Sequence, residues 1–284
     1  MIAITGSNGF IGQRLLAALK SNAIPIDLRR QSDNEIRRLL ESSECSTIAH
    51  LANPMPSKES VKQDLVRMKT KALSVRLLEL IEPLGKFHIL FLSSIRVYNS
   101  NSAVITENSP LQPVDGYGSG KLAAEKILSS SAHKISCIRA TSIQGVDHKG
   151  FPRGILGTFA QQAKLKGIIS VMGNGNSVKD LLHISDLIDL LTLIIRIRIP
   201  MNKFFLPVGG GNNTITILDL AQKIAHKTGA SIKHIEPDKY DLSGKVDNDP
   251  IQLLTGWKPR LSLGKMIEET VNAIEITDFR QCAK

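Results

Sequence analysis

A glycine-rich segment near the start of the chain has the spacing of a dinucleotide-binding turn. Thr5 to Gly12 reads T-G-S-N-G-F-I-G; it follows a short apolar run and opens a segment of helical periodicity. In that context, glycines let a dinucleotide pyrophosphate approach the backbone at a helix N-terminus. A tight turn between strand and helix would explain one glycine, but not three at this spacing. The cofactor contacts predicted here are Gly6, Asn8, Gly9, Phe10, Ile11 and Gly12.

Tyr117 and Lys121 form a second pattern with chemical meaning. Residues four apart share one face of a helix, so the lysine ammonium is expected near the phenol, where it would lower the pKa of the tyrosine. Such a tyrosine is a competent proton relay near neutral pH. A Y-x-x-x-K spacing alone is common and more often marks a surface pair. Combined with the glycine motif, it predicts a catalytic pair.

Two serines, Ser93 and Ser94, end the apolar run that begins at His88. A hydroxyl at the C-terminal edge of a parallel sheet can donate a hydrogen bond to a substrate carbonyl or alkoxide. These serines could instead cap the following loop. The presence of Tyr117 and Lys121 favours the catalytic interpretation.

The end of the second apolar run bears on the choice of dinucleotide. A carboxylate near this strand end binds a ribose 2′-hydroxyl, whereas an arginine accommodates a 2′-phosphate. We place Asp27 inside the strand, pointing away from the ribose, with Arg29 and Arg30 at the tip. This favours NADP over NAD, although both arginines could also be solvated loop charges.

Short apolar runs alternate with amphipathic segments through the first two thirds of the chain, which predicts an α/β fold with a Rossmann-type, doubly wound parallel sheet. The predicted strands are Ile2 to Thr5, Ile24 to Leu28, Thr47 to Ala52, His88 to Ser93 and Ile135 to Ala140. The predicted helices are Ile11 to Ser21, Ser57 to Leu84, Tyr117 to Ser131 and Leu263 to Ile276. We assign residues 1–145 to an NAD(P)-binding lobe, with later returns to the sheet, and 146–284 mainly to a smaller C-terminal α/β substrate lobe.

Composition excludes several classes of protein. The chain has 284 residues, 42% hydrophobic and 22% charged, values typical of folded soluble proteins and not of disordered, collagen-like or coiled-coil chains. The 36 basic and 26 acidic residues leave a net charge of +10. Because the basic residues are spread along the chain, a ligand carrying phosphate explains the charge as well as a nucleic acid does, and nucleic-acid binding ranks last.

The cysteines and the longest apolar run point to a cytoplasmic protein. Cys45, Cys137 and Cys282 show no C-x-x-C spacing, so neither a disulfide framework nor a metal site is expected. No signal peptide precedes the first strand. The run from Leu187 to Ile199 contains charged residues and is too short to span a bilayer.

Four further segments complete a family resemblance. They are His50 to Asn53, Arg139 to Gly145, Lys179 to Asp186 and Leu254 to Pro259. In order along the chain, they are similar to H-L-A-A, R-P-x-x-V-Y-G, R-D-F-V-H-V-D-D and L-G-W-x-P. With the motifs above, they resemble the extended short-chain dehydrogenase/reductase superfamily, specifically the NAD(P)-dependent epimerase/dehydratase family of nucleotide-sugar enzymes, over nearly the whole chain.

The resemblance implies a catalytic set of Ser94, Tyr117 and Lys121. The family's hydroxyl residue lies three positions before the valine of a V-Y pair, which selects Ser94 over Ser93. Tyr117 would be the acid/base, and Ser94 would share its hydrogen bond to the substrate. Tyr117 and Lys121 would also contact the cofactor, with Lys121 holding the nicotinamide ribose.

The resemblance also implies binding residues and a partner. Leu51, Ala52 and Asn53 would line the cofactor, and Lys179 would contact the diphosphate of a nucleoside-diphosphate sugar. Arg153 is a further candidate for a substrate phosphate, or else a solvated loop arginine. A homodimer through the segment Ser57 to Leu84 and the Tyr-Lys helix is possible, although the lysines and arginines of that segment could weaken it.

Departures from the family pattern narrow the reaction. Dehydratases carry Asp-Glu after the catalytic hydroxyl residue, and this chain has Ile95-Arg96, so a 4,6-dehydratase is not expected. A 4-epimerase or a 4-ketoreductase remains. The segment S-S-I-R-V resembles that of reductases or epimerases from bacterial polysaccharide gene sets; together with Arg29 and Arg30, it favours the reductase.

Two rival functions remain in view. One is a reductase of the same superfamily with a non-sugar substrate, which Lys179 and the G-W-K-P ending disfavour. The other is an NADP-binding redox sensor without turnover, which the intact catalytic set disfavours. The stretch from Arg30 to Thr47 is short and lacks the family's G-D-x-x-D turn, so we expect the adenine pocket to be built differently.

Overall fold

The computed structural model describes residues 1–54, 60–99, 103–197, 199, 201–237 and 243–276. The strands are β1 (Ile2–Thr5), β2 (Ala23–Ile26), β3 (Thr47–His50), β4 (His88–Ser94), β5 (Val104–Ile105), β6 (Lys134–Ala140), β7 (Ser142–Val146), β8 (Pro152–Arg153), β9 (Ile168–Met172), β10 (Val178–His183), β11 (Lys203–Val208), β12 (Thr214–Thr216), β13 (Ser231–Ile235) and β14 (Lys245–Val246). The helices are α1 (Phe10–Leu19), α2 (Asp33–Ser42), α3 (Ser60–Ile81), α4 (Gly116–Ser130), α5 (Gly154–Lys166), α6 (Ile184–Arg196), α7 (Ile217–Thr228), α8 (Asp249–Thr255) and α9 (Leu263–Ile276).

The centre of the fold is a six-stranded sheet in the order β2-β1-β3-β4-β6-β11, with every neighbouring pair parallel. The predicted Rossmann-type parallel sheet is confirmed. Its order reverses between β1 and β3, and open α/β sheets bind ligands at the C-terminal ends of the strands next to such a reversal. Strand β11 comes from the later half of the chain, whereas the division into lobes at residue 145 stays a prediction.

The sheet ends at β2 among the residues that the structure describes. After β2 the chain turns directly into α2, whose first turn is closed by a capping box between Ser32 and Glu35. Strand β3 then pairs with β1 on the side opposite β2. The short stretch from Arg30 to Thr47 therefore contains helix α2 and no strand before β3. Helix α3 contacts the loop that follows β2 through Arg76.

Apolar side chains cover both faces of the sheet. One cluster joins Ile4 to Leu15 of α1 and Leu190 of α6, and the other joins Ile48 to Leu77 of α3 and Leu128 of α4. Strands buried on both faces are expected to be continuously apolar, as β4 is from Ile89 to Leu92. Helices α3 and α4 also pack against each other along their length, which fixes the Tyr-Lys helix beside the sheet.

The later half of the chain builds a second group of elements around its own apolar cluster. A mixed sheet in the order β12-β10-β7-β8 packs with α5, α7 and α9. Trp257 donates from its indole nitrogen to the carbonyl oxygen of Asp186, while the Asp186 carboxylate accepts from the backbone nitrogen of Leu261. These bonds attach the segment before α9 to α6.

No helix within the described ranges is both long and apolar enough to cross a membrane. Over the same residues, no group of three or more His, Cys, Asp or Glu side chains is arranged to hold a metal ion. Cys45 and Cys137 are buried free thiols. Ser57, Arg198 and Cys282 lie outside the described residues.

Candidate active site

The glycine turn connects β1 to α1 as predicted, and its glycines are required by close backbone approach. Gly6 has φ +71°, and a Cβ there would lie 2.7 Å from the backbone nitrogen of Ala52. A Cβ on Gly12 would collide with the carbonyl of Gly6. The backbone nitrogen of Ala52 donates to Thr5 Oγ1 at 3.2 Å. The ends of β1 and β3 are thus tied together where the turn begins.

A cavity of about 620 Å³ opens beside this turn. Of the predicted cofactor residues, it is lined by Gly6, Asn8, Gly9, Arg29, Leu51, Ala52 and Asn53. Among the described residues, the other predicted cofactor residues do not line this cavity: Phe10, Ile11, Gly12, Arg30, Tyr117 and Lys121. Residues that sequence reasoning missed are Ser7, Ile26, Leu28, Pro54, Lys69, Ala72, Leu73 and Arg76.

The cavity has the features that a dinucleotide needs. Glycine backbone and the start of α1 border one side, where a pyrophosphate can accept backbone hydrogen bonds. Asn53 Oδ1 is buried and has no hydrogen-bond partner in the described part of the protein. A buried acceptor of this kind is costly unless a ligand or water satisfies it. The residues present fit NAD(P).

Asp27 does not lie where the sequence interpretation placed it. Strand β2 ends at Ile26, so Asp27 is the first residue after the strand, and it lines the cavity. Its carboxylate accepts a 2.9 Å hydrogen bond from the backbone nitrogen of Arg29. The Nε atoms of Arg29 and Arg30 lie 3.9 and 4.0 Å from the carboxylate. The placement of Asp27 inside the strand was therefore wrong, and the preference for NADP, which rested on that placement and on Arg29 and Arg30 at the tip, is not confirmed.

Arg76 of α3 supports the loop that follows β2. Its guanidinium donates to the carbonyl oxygens of Leu28 and Gln31, and it lies 2.8 Å from the Asp33 carboxylate. Lys69, Ala72, Leu73 and Arg76 line the cavity from α3 at helical spacing. One wall of the cavity is therefore a face of α3. The expectation that the short Arg30 to Thr47 stretch changes the adenine pocket stays a prediction.

Lys121 ties α4 to the strand that ends at Ser94. The Lys121 ammonium is buried and donates to the carbonyl oxygen of Leu92 at 2.6 Å, and it lies 4.7 Å from the centre of the Phe91 ring. Burial lowers the pKa of Lys121 to about 8. The ammonium lies 5.9 Å from the centre of the Tyr117 ring. Tyr117 and Lys121 of α4 therefore lie beside the end of β4, where Ser94 is located, and we call this region the Tyr-Lys edge.

The pKa of Tyr117 is shifted in the direction opposite to the expectation, upward and not downward. Burial raises it to about 12; the Arg96 guanidinium opposes that rise, and the Asp115 carboxylate adds to it. The prediction that Lys121 lowers the pKa was wrong for this structure, because desolvation of the phenolate is the largest effect and the opposing cation is Arg96. Sequence spacing contained no signal for the proximity of Arg96.

A buried ion pair explains why Ser93 and Ser94 differ. Arg139 of β6 makes charged hydrogen bonds to both Glu125 oxygens, and Ser93 Oγ donates to the same carboxylate at 2.5 Å. Arg139 also donates to the hydroxyl of Tyr98. The Ser93 side chain is thus bound to Glu125, whereas Ser94 Oγ accepts from the backbone nitrogen of Arg96 and keeps its own proton to donate.

His50, at the end of β3, is held neutral beneath these residues. It shares hydrogen bonds with Thr5 Oγ1 at 2.8 Å and Ser74 Oγ at 3.1 Å. Burial lowers its pKa to about 3, and the nearby Lys121 charge acts in the same direction. A neutral imidazole links β1, β3 and α3 without adding charge near the site.

The predicted substrate residues lie in the later half of the chain. Arg153 makes two hydrogen bonds to the buried Asp147 carboxylate, at 2.8 and 2.6 Å, and half of its side chain remains exposed. Lys179 is partly buried in β10, and the next residue, Asp180, accepts from the backbone nitrogens of Gly210 and Val246. Whether Arg153 and Lys179 contact substrate stays a prediction.

A larger cavity, of about 790 Å³, lies elsewhere and is bordered by the loops 210–213, 245–249 and 258–264. Its described lining includes none of the predicted site residues. The smaller cavity, by contrast, is lined by seven of the predicted cofactor residues, and whether the chemistry takes place beside it stays a prediction.

Comparison with known proteins decides the family. The profile of the NAD dependent epimerase/dehydratase family matches residues 2–201. The chain belongs to this family. It is an enzyme of the extended short-chain dehydrogenase/reductase type that works with NAD(P), as the motifs predicted.

Two relatives and one solved structure illustrate the likeness to other family members. The chain is 25% identical to a UDP-glucose 4-epimerase from Lactobacillus helveticus over 256 residues, covering 79% of this chain and 75% of the relative. It is 22% identical to a dTDP-4-dehydro-6-deoxyglucose reductase from Escherichia coli, covering 96% and 97%. A UDP-glucuronic acid 4-epimerase structure from Bacillus cereus superposes with a TM-score of 0.83 at 19% identity, covering 96% and 98%.

Proposed function

We propose that this family member is an NAD-dependent 4-epimerase of a nucleoside-diphosphate sugar. The observation that carries the proposal is the position of Asp27, which lines the cofactor cavity directly after β2. A carboxylate there binds the 2′-hydroxyl of NAD and repels the 2′-phosphate of NADP. Several relatives named as UDP-glucose 4-epimerases support the same reaction.

The choice of NAD bears on the direction of the chemistry. An epimerase begins by oxidising C4 of the sugar and therefore needs the oxidised dinucleotide, the form in which cells mainly hold NAD. A reductase begins from the reduced form, for which NADPH is the usual biosynthetic donor. Asp27 thus moves the preference from the reductase to the epimerase.

Each catalytic residue has a defined task in this proposal. When bound, NAD supplies the hydride acceptor and, after reduction, the hydride donor. Tyr117 accepts the proton of the C4 hydroxyl as the C4–H bond breaks, and it returns that proton after the hydride has been delivered to the other face of the ketone. Ser94 donates a hydrogen bond to the C4 oxygen, and Lys121 orients the site from its anchor on Leu92.

Water elimination is not supported. The residues after Ser94 are Ile95, which is buried, and Arg96, which is paired with Asp115. Neither can act as the acid or base that removes water across C5 and C6. Reaction at C4 alone remains.

The sugar nucleotide is expected to bind above the Tyr-Lys edge, against the later half of the chain. Lys179 is the proposed cation for the diphosphate; lysine supplies charge without the bidentate geometry of arginine. Arg153 is a second candidate, although part of its charge is neutralised by Asp147.

A 4-ketoreductase is the second candidate. It is favoured by the match to the Escherichia coli reductase, which spans nearly the full length of both chains. The same Ser94, Tyr117 and Lys121 would serve it, with Tyr117 donating the proton to the reduced C4 oxygen.

The test is incubation of the protein with UDP-, dTDP- and GDP-sugars in D₂O, with and without added NADPH. An epimerase inverts C4 without net cofactor consumption and retains the original C4 hydrogen, because the hydride returns to the same carbon. Stoichiometric oxidation of NADPH by a 4-keto sugar would establish the reductase instead. Incorporation of deuterium at C4 would contradict both.

A further inference from the structure

The Arg96 side chain connects the two elements that carry the catalytic residues. Arg96 belongs to the 3₁₀ turn Ile95–Val97, directly after Ser94. Its guanidinium forms an ion pair with Asp115, the N-cap residue of α4. The Asp115 side chain is 2% exposed, and its other oxygen accepts from the backbone nitrogen of Gly118 at 2.6 Å. Asp115, which caps α4, is therefore held by Arg96 of the turn that follows Ser94.

The backbone of Arg96 makes the same connection. Its nitrogen donates to Ser94 Oγ at 3.2 Å. Its carbonyl lies so close to Gly118 that a Cβ at that glycine would collide with it. One residue thus contacts the serine hydroxyl, the cap of α4 and the backbone next to Tyr117.

We propose that Arg96 is a positioning residue for Tyr117, which holds the first turn of α4 through the buried Asp115 carboxylate and places a positive charge at the start of that helix, two residues before Tyr117. The proposal rests on the proposed role of Tyr117 as proton carrier. A cation at this place stabilises the phenolate form of Tyr117, which must be present before Tyr117 can accept the proton of the substrate hydroxyl.

Other charged groups around the start of α4 are less effective. Lys121, on the same helix, is bonded to Leu92 and is itself partly deprotonated near pH 8. On α3, Arg67 and Asp64 pair with each other at 2.9 Å, and more than half of each side chain is exposed, so water screens them. Beside burial, the Asp115 carboxylate raises the pKa of Tyr117. The balance at the phenol is therefore between Arg96 and Asp115.

Opposite effects of the two partners distinguish this role from a merely structural clamp. Removing the Arg96 charge should raise the pKa of Tyr117, whereas removing the Asp115 charge should lower it. A clamp would lose function in the same way whichever partner is removed. Asn at position 115 can still cap the helix through its side-chain oxygen, so Asp115→Asn changes charge and leaves the capping interaction available.

The experiment measures the pH dependence of kcat for the wild type and for Arg96→Gln, Arg96→Lys and Asp115→Asn. The acidic limb should move to higher pH by about one pH unit in Arg96→Gln. It should move to lower pH in Asp115→Asn, and Arg96→Lys should restore a profile close to that of the wild type. Circular dichroism confirms that each variant is folded.

A second measurement does not depend on turnover. The chain contains three tyrosines, so the phenolate absorbance of each protein minus that of its Tyr117→Phe counterpart isolates Tyr117. At pH 11 this difference should be largest in Asp115→Asn and smallest in Arg96→Gln. If no sugar nucleotide is converted, the proposed function fails while this titration still tests Arg96. Equal titration in all variants, or shifts in the same direction for both partners, would overturn the proposal.

Discussion

The ammonium of Lys121 donates to the carbonyl oxygen of Leu92 at 2.6 Å, two residues before the serine that ends β4. The lysine is thereby fixed to the strand that delivers Ser94, and α4 cannot slide along the sheet without breaking a charged hydrogen bond. Because the same helix carries Tyr117, this bond sets the register between the residues proposed to transfer the proton.

Tyr117→Phe is expected to reduce kcat by at least about 100-fold, because the proton carrier is lost. Affinity for NADH should remain nearly unchanged, since Tyr117 does not line the dinucleotide cavity. Steady-state kinetics and fluorescence titration measure the two quantities. Tyr98→Phe is the matched control: it removes a hydroxyl bonded to Arg139 and should reduce stability by about 1–3 kcal/mol while chemistry continues. Retained turnover in Tyr117→Phe would remove its assignment.

Asp27→Asn is expected to weaken NADH binding by about 10-fold or more, because a charged acceptor for the ribose diol becomes neutral. NADPH binding should strengthen in the same variant. Calorimetric titration with both dinucleotides checks the prediction, and Arg29→Ala combined with Arg30→Ala serves as the comparison. Tighter NADPH binding by the wild type, lost in the double arginine variant, would instead establish NADP as the cofactor.

Arg76→Ala should weaken NAD binding by about 10-fold, since two carbonyl oxygens of the loop that follows β2 would lose their guanidinium donor. At saturating NAD, kcat should be that of the wild type, because Arg76 is remote from the Tyr-Lys edge. The matched control is Arg38→Ala, which removes an exposed arginine from α2 and should change neither quantity. An unchanged dissociation constant in Arg76→Ala would show that the loop keeps its shape without this support.

Glu125→Gln should lower the free energy of unfolding by about 3–5 kcal/mol, because Arg139 would keep a buried charge without its counterion. Urea denaturation measures the loss. The exposed pair of Asp64 and Arg67 provides the contrast, and Asp64→Asn should cost less than about 1 kcal/mol. Similar losses in both variants would indicate that burial does not control the strength of these pairs.

Acid should destabilise the protein through His50. In the unfolded chain this imidazole has its ordinary pKa of 6.5, whereas in the folded protein burial lowers the pKa to about 3. Between these values the unfolded state binds more protons, so stability rises with pH and falls as acid is added. At pH 5 the loss from His50 amounts to about 2 kcal/mol. Urea denaturation at pH 5 and 7 checks this, and His50→Asn should show a weaker pH dependence. An equal dependence in His50→Asn would assign the effect to other groups.

The sequence predicted most strands and helices well, because the apolar patterns that indicate them are local. Alternating apolar runs located the five strands of the first half and the segment of α9. The end of β2 was wrong by two residues for a local reason as well. Ile24, Ile26 and Leu28 continue the alternation, but the Asp27 carboxylate binds the backbone nitrogen of Arg29 and turns the chain, a competition that short polar side chains often win.

The candidate site was predictable only where a motif marks it. The glycine turn, Tyr117 and Lys121 follow from spacing, and Ser94 follows from the family resemblance. Arg76, by contrast, reaches its loop from a helix more than forty residues away in sequence. The face of α3 that carries Lys69, Ala72, Leu73 and Arg76 does repeat at helical spacing, and that signal could have found it. The pKa of Tyr117 depends on burial and on Arg96, which spacing does not reveal.

The margin of the sheet at β2 has a consequence for how the protein behaves before and after folding. A terminal strand offers unpaired backbone groups that can recruit another chain. Here the terminal strand has four residues, and one of them, Pro25, is exposed and carries no amide hydrogen. A terminal strand this short, with a proline in it, offers few backbone groups for pairing with another chain. The sheet edge beside the cofactor pocket is therefore also protected against aggregation.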